Sequence, residues 1–153
     1  MRRIEQLLNE YGESHKNKIN IFIHAIAVPV IYFVTIALIG SIPTPEFIAF
    51  FDVTWAHIVS IPVLYYYFML SGPIGAAMTL LTFVVFLLIN LMESMGIEVW
   101  RASLAVFAVM WALQFIGHYI EGKRPSFLAD LRFLLVGPAW WWVHWLRRMN
   151  IHY

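Results

Sequence analysis

Four stretches of this chain are long and almost wholly apolar: 19–41, 47–70, 74–93 and 97–120. A helix needs ~20 such residues to cross a ~30 Å hydrocarbon layer. In lipid every backbone N–H and C=O must be satisfied by protein, which leaves helices and closed barrels. The runs show no alternation of period two, so helices are expected. Composition agrees: 61% of residues are hydrophobic and 12% charged, against ~45–50% and ~25% in soluble domains. The runs are separated at Gly40-Ser-Ile-Pro-Thr-Pro45, Ser71-Gly-Pro73 and Glu93-Ser-Met-Gly96, all loop signals. The expected fold class is therefore all-α: a polytopic membrane protein built as a four-helix transmembrane bundle, one domain over 1–153. The short second break makes the second and third helices an antiparallel hairpin.

The tail, 127–153, differs. It is apolar but interrupted by Gly137-Pro138 and studded with Arg132, Arg147 and Arg148. Each half is too short to span. Two amphipathic segments, interfacial or re-entrant, are expected, with Trp140, Trp141, Trp142 and Trp145 at headgroup depth; a fifth spanning helix is the alternative. Arg2, Arg3, Lys16 and Lys18 precede the first run, and Lys123, Arg124, Arg132, Arg147 and Arg148 follow the fourth. The first connecting loop has no basic residue, and the third only Arg101 beside Glu93 and Glu98. Both termini are thus expected on the cytoplasmic side, as an even number of crossings also requires. The charged N-terminal start lacks the features of a cleaved signal peptide. A net charge of +1 argues against nucleic acid as partner. The absence of cysteine removes disulfides, thiolate metal sites and cysteine nucleophiles.

With four crossings, two polar clusters share one membrane face. The first is Tyr11, His15, Asn20 and His24; the second is Gln114, His118 and Glu121. Gln114, His118 and Glu121, with Trp111 before them, follow a spacing of three and four and lie on one helix face. Tyr11 and His15 are four apart, as are Asn20 and His24. His15 and His24 are nine apart, ~180° around one straight helix, so they converge only if the chain bends between them. Gly12, Ser14 and Asn17 provide a segment able to bend. Ionisable groups inside a membrane are costly and mark function by default. Imidazole suits zinc, iron, copper and nickel, and two histidines with a carboxylate suit non-haem Fe(II). His15, His24 and His118 are the expected metal ligands, with Glu121, His144, His57 or water as the fourth. His57, ten residues into the second run, is expected near mid-bilayer as a packed histidine in preference to a ligand. His144 either folds back or sits in the interface. Asn20 and Gln114, one turn before a histidine each, are expected to orient ligands or substrate.

At these residues the chain resembles the small membrane dioxygenases of 2-hydroxy fatty acids, typified by the fungal endoplasmic-reticulum enzyme of phytosphingosine breakdown. The matching pattern is Tyr11-x3-His15-x4-Asn20-x3-His24-x4-Pro29, then Trp111-x2-Gln114-x2-Gly117-His118-x2-Glu121-x3-Pro125, then Leu135-Val136-Gly137-Pro138. Residues 40–105 match by hydropathy only. Ala27 and Ser126 depart from the usual glycine and alanine, and the tail with Trp140–Trp142 and His144 is similar to a bacterial branch. The resemblance implies Fe(II), O2 and a 2-hydroxy fatty acid that loses its carboxyl carbon as CO2. It also implies His15, His24 and His118 as ligands, with Tyr11, Asn20, Gln114 and Glu121 as the catalytic surroundings. Lys16, Lys18, Lys123 or Arg124 then pairs with the incoming carboxylate, the acyl chain lies among membrane lipid and apolar helices, and the location is a bacterial inner membrane. Two other readings compete: a b-type haem protein using two of His24, His118 and His57, and a non-enzymatic membrane scaffold.

Overall fold

A computed structural model describes residues 3–128 and 132–152. Those residues are helical and contain no strand. The order is α1 (Arg3–Gly12), α2 (Lys18–Gly40), α3 (Glu46–Ala49), α4 (Trp55–Leu70), α5 (Gly72–Ser94), α6 (Val99–Glu121), a 3-10 turn (Ser126–Leu128) and α7 (Phe133–Arg148). α2, α5 and α6 are each long and apolar enough to cross a membrane. Their outward faces are apolar as well: Phe22, Leu87, Val109 and Ile116 are all exposed, as expected of helices that meet lipid on one side and protein on the other.

The second apolar run is not one helix. Glu46–Ala49 forms a single short turn, the backbone enters the left-handed region at Asp52 (φ 54°), and Thr54 starts a new helix. His57 Nδ1 accepts the Thr54 N–H at 3.1 Å and contacts Thr54 Oγ1 at 3.0 Å, a reciprocal cap of the kind that fixes helix starts. α4 is left with 16 residues, or ~24 Å of rise. His57 therefore lies in the first turn of α4, stacked on Phe86 at 4.2 Å, and not in mid-helix.

The helices run antiparallel between two cores. At one end Ile36, Ala37, Ala56, Val85, Ile89 and Val99 pack together. At the other, α1 and α7 close over the α4–α5 hairpin, with Leu7, Leu8, Tyr67, Ile74, Met78, Val136 and Val143 in contact. The buried positions of α1 are Ile4, Leu7, Leu8 and Tyr11, one helical stripe. α7 runs straight through Gly137-Pro138, so the expected break there does not occur. Proline removes one N–H, and Pro138, the sixth residue of α7, leaves the Leu134 carbonyl without its usual donor; the helix is held there by packing, with Tyr11 and Val28 close to Gly137. Tyr67 Oη donates to the Leu135 carbonyl at 2.8 Å. Pro29 leaves the Ala25 carbonyl of α2 without its usual donor, and Trp141 Nε1 supplies one at 2.9 Å. These two bonds tie α7 to α4 and α2.

Candidate metal centre

The chain between α1 and α2 makes the bend that the histidine spacing demands. α1 stops at Gly12. Asn17 then caps α2, its side chain accepting the Ile19 N–H at 2.9 Å. The bend brings His15 back over the first turns of α2. His24 projects from α2 and His118 from the last turn of α6. Their ring centroids are 4.4 Å (His15–His24), 4.8 Å (His24–His118) and 5.0 Å (His15–His118) apart. One ligating atom from each lies within 4.8 Å of the others, and all three rings are buried.

The hydrogen bonds set the tautomers. His15 Nδ1 lies 2.7 Å from the Tyr11 carbonyl and His24 Nδ1 3.0 Å from the Asn20 carbonyl. A carbonyl only accepts, so each Nδ1 carries the proton and each Nε2 keeps its lone pair. Backbone carbonyls orient metal-binding histidines in this way. Burial pushes the His15 imidazole below its ordinary range, which keeps it neutral. His15 Nε2 and His118 Nδ1 are buried without a hydrogen-bond partner in the protein. Buried polar atoms are rarely left so, and a cation among the three rings would satisfy them. The donor set, three neutral imidazoles, fits a borderline divalent metal.

The other expected site residues surround this cluster. Tyr11 is buried and stacks on His15, centroids 4.1 Å apart and planes 16° apart. Glu121 does not present its carboxylate to the group. Its oxygens accept the backbone N–H of Lys16 at 3.0 Å and of Asn17 at 2.8 Å, and Asn20 Nδ2 at 3.1 Å. The last residue of α6 thus closes the start of α2 and holds the bend that carries His15. Asn20 Nδ2 also donates to the Ser14 carbonyl at 3.0 Å. A Cβ at Gly117 would collide with Asn20 Oδ1, so α2 and α6 meet this closely only because residue 117 is glycine. His57 and His144 lie elsewhere. The first is at the far end of the bundle; the second is exposed beside Trp145. Lys16 and Lys123 both reach Glu13, at 2.9 Å and 3.8 Å, and hold its carboxyl below the usual range.

Three neighbours were not among the expected site residues. Trp140 of α7 packs 5.6 Å from both His15 and Tyr11, at the site itself. Ser14 Oγ touches His15 Nδ1 at 3.3 Å and pairs with Ser126 Oγ, so the serine that departs from the family pattern stands one contact from a histidine. The first contact depends on the approach of α7, which no local pattern announces.

Below the histidines lies a cavity of about 370 Å³. His24, His118, Gln114 and Tyr11 line its head; Val28, Tyr32, Phe107 and Trp111 its sides. Ile36, Ile39 and Ala56 line the far end. α4 and α6 share almost no contact, so the cavity is weakly walled between them.

Fold and site together define a helical membrane protein with a buried three-histidine cluster able to hold a metal at the head of an apolar cavity. The family model of 2-hydroxy-palmitic acid dioxygenase Mpo1-like proteins matches residues 1–149. The chain belongs to that family. No curated protein and no solved structure matches it.

Proposed function

We propose that this protein is an Fe(II)-dependent dioxygenase of long-chain 2-hydroxy fatty acids. The substrate and one O2 become the fatty acid one carbon shorter, CO2 and water; the organic acid is oxidised by four electrons and O2 is reduced by four. The observation that carries the reading is three buried histidines at the head of a long apolar cavity in a chain whose family is named for this reaction. His15, His24 and His118 would hold the metal. Bound there, iron supplies the redox chemistry with O2 that no amino-acid side chain provides. Tyr11 and Gln114, at the cavity head, offer a phenol and an amide for the 2-hydroxyl and carboxylate. Glu121 and Asn20 hold the bend and the start of α2, and so position two of the three histidines. The apolar cavity takes the acyl chain and keeps water from the carbon that reacts. The weak wall between α4 and α6 gives a tail in the bilayer a way in.

The geometry disfavours haem. A haem iron with two axial histidines needs a metal–nitrogen bond of ~2 Å on each side, hence centroids ~6 Å apart. Of the three histidines that alternative names, His57 stands at the far end of the bundle, stacked on Phe86, and the His24 and His118 rings are 4.8 Å apart, too close for a porphyrin between them.

The whole chain, in this reading, is one membrane domain crossing four times, α4 making the fourth crossing, with α7 in the interface. Both termini face the cytoplasm of a bacterial inner membrane. The test is 2-hydroxypalmitate incubated with purified protein, Fe(II) and air, followed by mass spectrometry. Pentadecanoic acid is expected, and is lost without O2 or with chelator. An iron-loaded protein that shortens no 2-hydroxy acid would defeat the reading.

A further inference from the structure

The cavity has a definite far end. α2 and α4 come together there: a Cβ added at Gly40 would lie 3.4 Å from the Ala56 Cβ and 3.7 Å from Thr54 Oγ1. Ala56 is buried, and packs in the same core as Ile36. Ile39 lines the cavity just before this closure, and Val59 lies one turn along α4 from Ala56. From His24 to Ile39 is fifteen residues of one continuous helix, or ~22 Å of rise.

That length can be set against an acyl chain. Bonds of ~1.5 Å bent at ~111° advance ~1.25 Å each, so sixteen carbons in extended form measure ~19 Å and eighteen ~21 Å. Twenty carbons need ~24 Å, more than the ~22 Å of α2 that separates His24 from Ile39. We infer that Ile39, Ala56 and Val59 set the maximum acyl length, the methyl end of the chain stopping against the α2–α4 closure. The inference rests on the reading above for the orientation of the chain, with its carboxyl end at the histidines. It adds the residues that select among substrates.

Two substitutions should move the limit in opposite directions. Ile39→Ala removes bulk at the floor, and arachidic acid should gain on palmitic acid. Ala56→Phe fills the floor, and palmitic acid should lose to lauric acid. Val59→Phe does the same from a half-exposed position that tolerates size, and serves if Ala56→Phe does not fold. Each buried methylene is worth about fourfold, so two methylenes gained or lost change the ratio by roughly tenfold or more. The measurement is binding of straight-chain fatty acids without the 2-hydroxyl to detergent-solubilised protein without added metal, by native mass spectrometry, in lauric, palmitic and arachidic competition. The product ratio from a mixture of the corresponding 2-hydroxy acids is measured beside it. Opposite shifts in the two kinds of variant support the inference, even if no acid is shortened and the dioxygenase reading falls. An unchanged length profile in Ile39→Ala and Val59→Phe overturns it, even if turnover is normal. Failure of wild type to bind any of the three acids overturns it too.

Discussion

Glu121 and Gly117 flank His118 within one turn, and each acts on the histidines through Asn20 and the chain that follows Ser14. Charge-assisted bonds from a carboxylate to backbone N–H groups are worth ~1.5–3 kcal/mol each. Glu121→Gln keeps the shape but loses the charge and turns one acceptor into a donor facing N–H donors. Retention of metal against graded chelator should fall ~10–100-fold with helix content unchanged; retention equal to wild type would reduce Glu121 to a surface tether. The histidines themselves should behave differently. Ala at His15, His24 or His118 should remove most bound metal from folded protein. His57→Ala should leave the metal in place, since His57 caps α4 at the other end of the bundle. Full occupancy in His118→Ala would end the assignment of that ligand.

At the scale of elements, α1 has a task out of proportion to its ten residues. It carries Tyr11 and delivers His15, and it is held by packing against α7. Leu7 is buried in that contact. Leu7→Ala should cost ~2–5 kcal/mol, read as a lowered melting temperature in detergent. Metal retention should fall with it, because the same contact fixes the bend. Gln6, exposed on the opposite face, should tolerate Ala within ~0.5 kcal/mol. A Leu7→Ala protein that melts early yet holds metal normally would show that the bend is set by Glu121 alone. The stripe Ile4, Leu7, Leu8, Tyr11 was there to be read as an amphipathic helix. It is short and charged beside the long apolar runs, and hydropathy passes over it.

For the whole molecule, the two cores place the N-terminus of α2 and the C-terminus of α6 at one end, with α1 and α7 beside them. In the proposed topology of four crossings, both chain termini would lie on one side of the membrane and Ser41 on the other. Reporter fusions after Ser41 and at the C-terminus should give opposite signals. The same signal from both would mean that α4, at ~24 Å, does not cross, and the topology proposed here would fall.

What the sequence determined by itself was whatever depends on near neighbours in the chain. The apolar runs announced four spanning helices because length and hydropathy are local, and three of them, α2, α5 and α6, are long and apolar enough to cross. The spacing of Asn20 with His24 and of Gln114 with His118 announced one face each because a helix has a fixed period. The spacing of His15 and His24 even required a bend. The tertiary structure decided what depends on distant segments meeting. It took the carboxylate of Glu121 to the N–H groups of Lys16 and Asn17. It carried Trp140 onto His15 and drew Gly137 against Tyr11, and it let α7 continue through Pro138 because neighbouring elements hold it. It split the second apolar run at Asp52–Thr54, where one charged residue in the left-handed region and the reciprocal Thr54–His57 cap interrupt an otherwise apolar stretch. Hydropathy records how much a segment prefers lipid; it does not record which buried hydrogen bonds are made, and in this protein those bonds place the histidines.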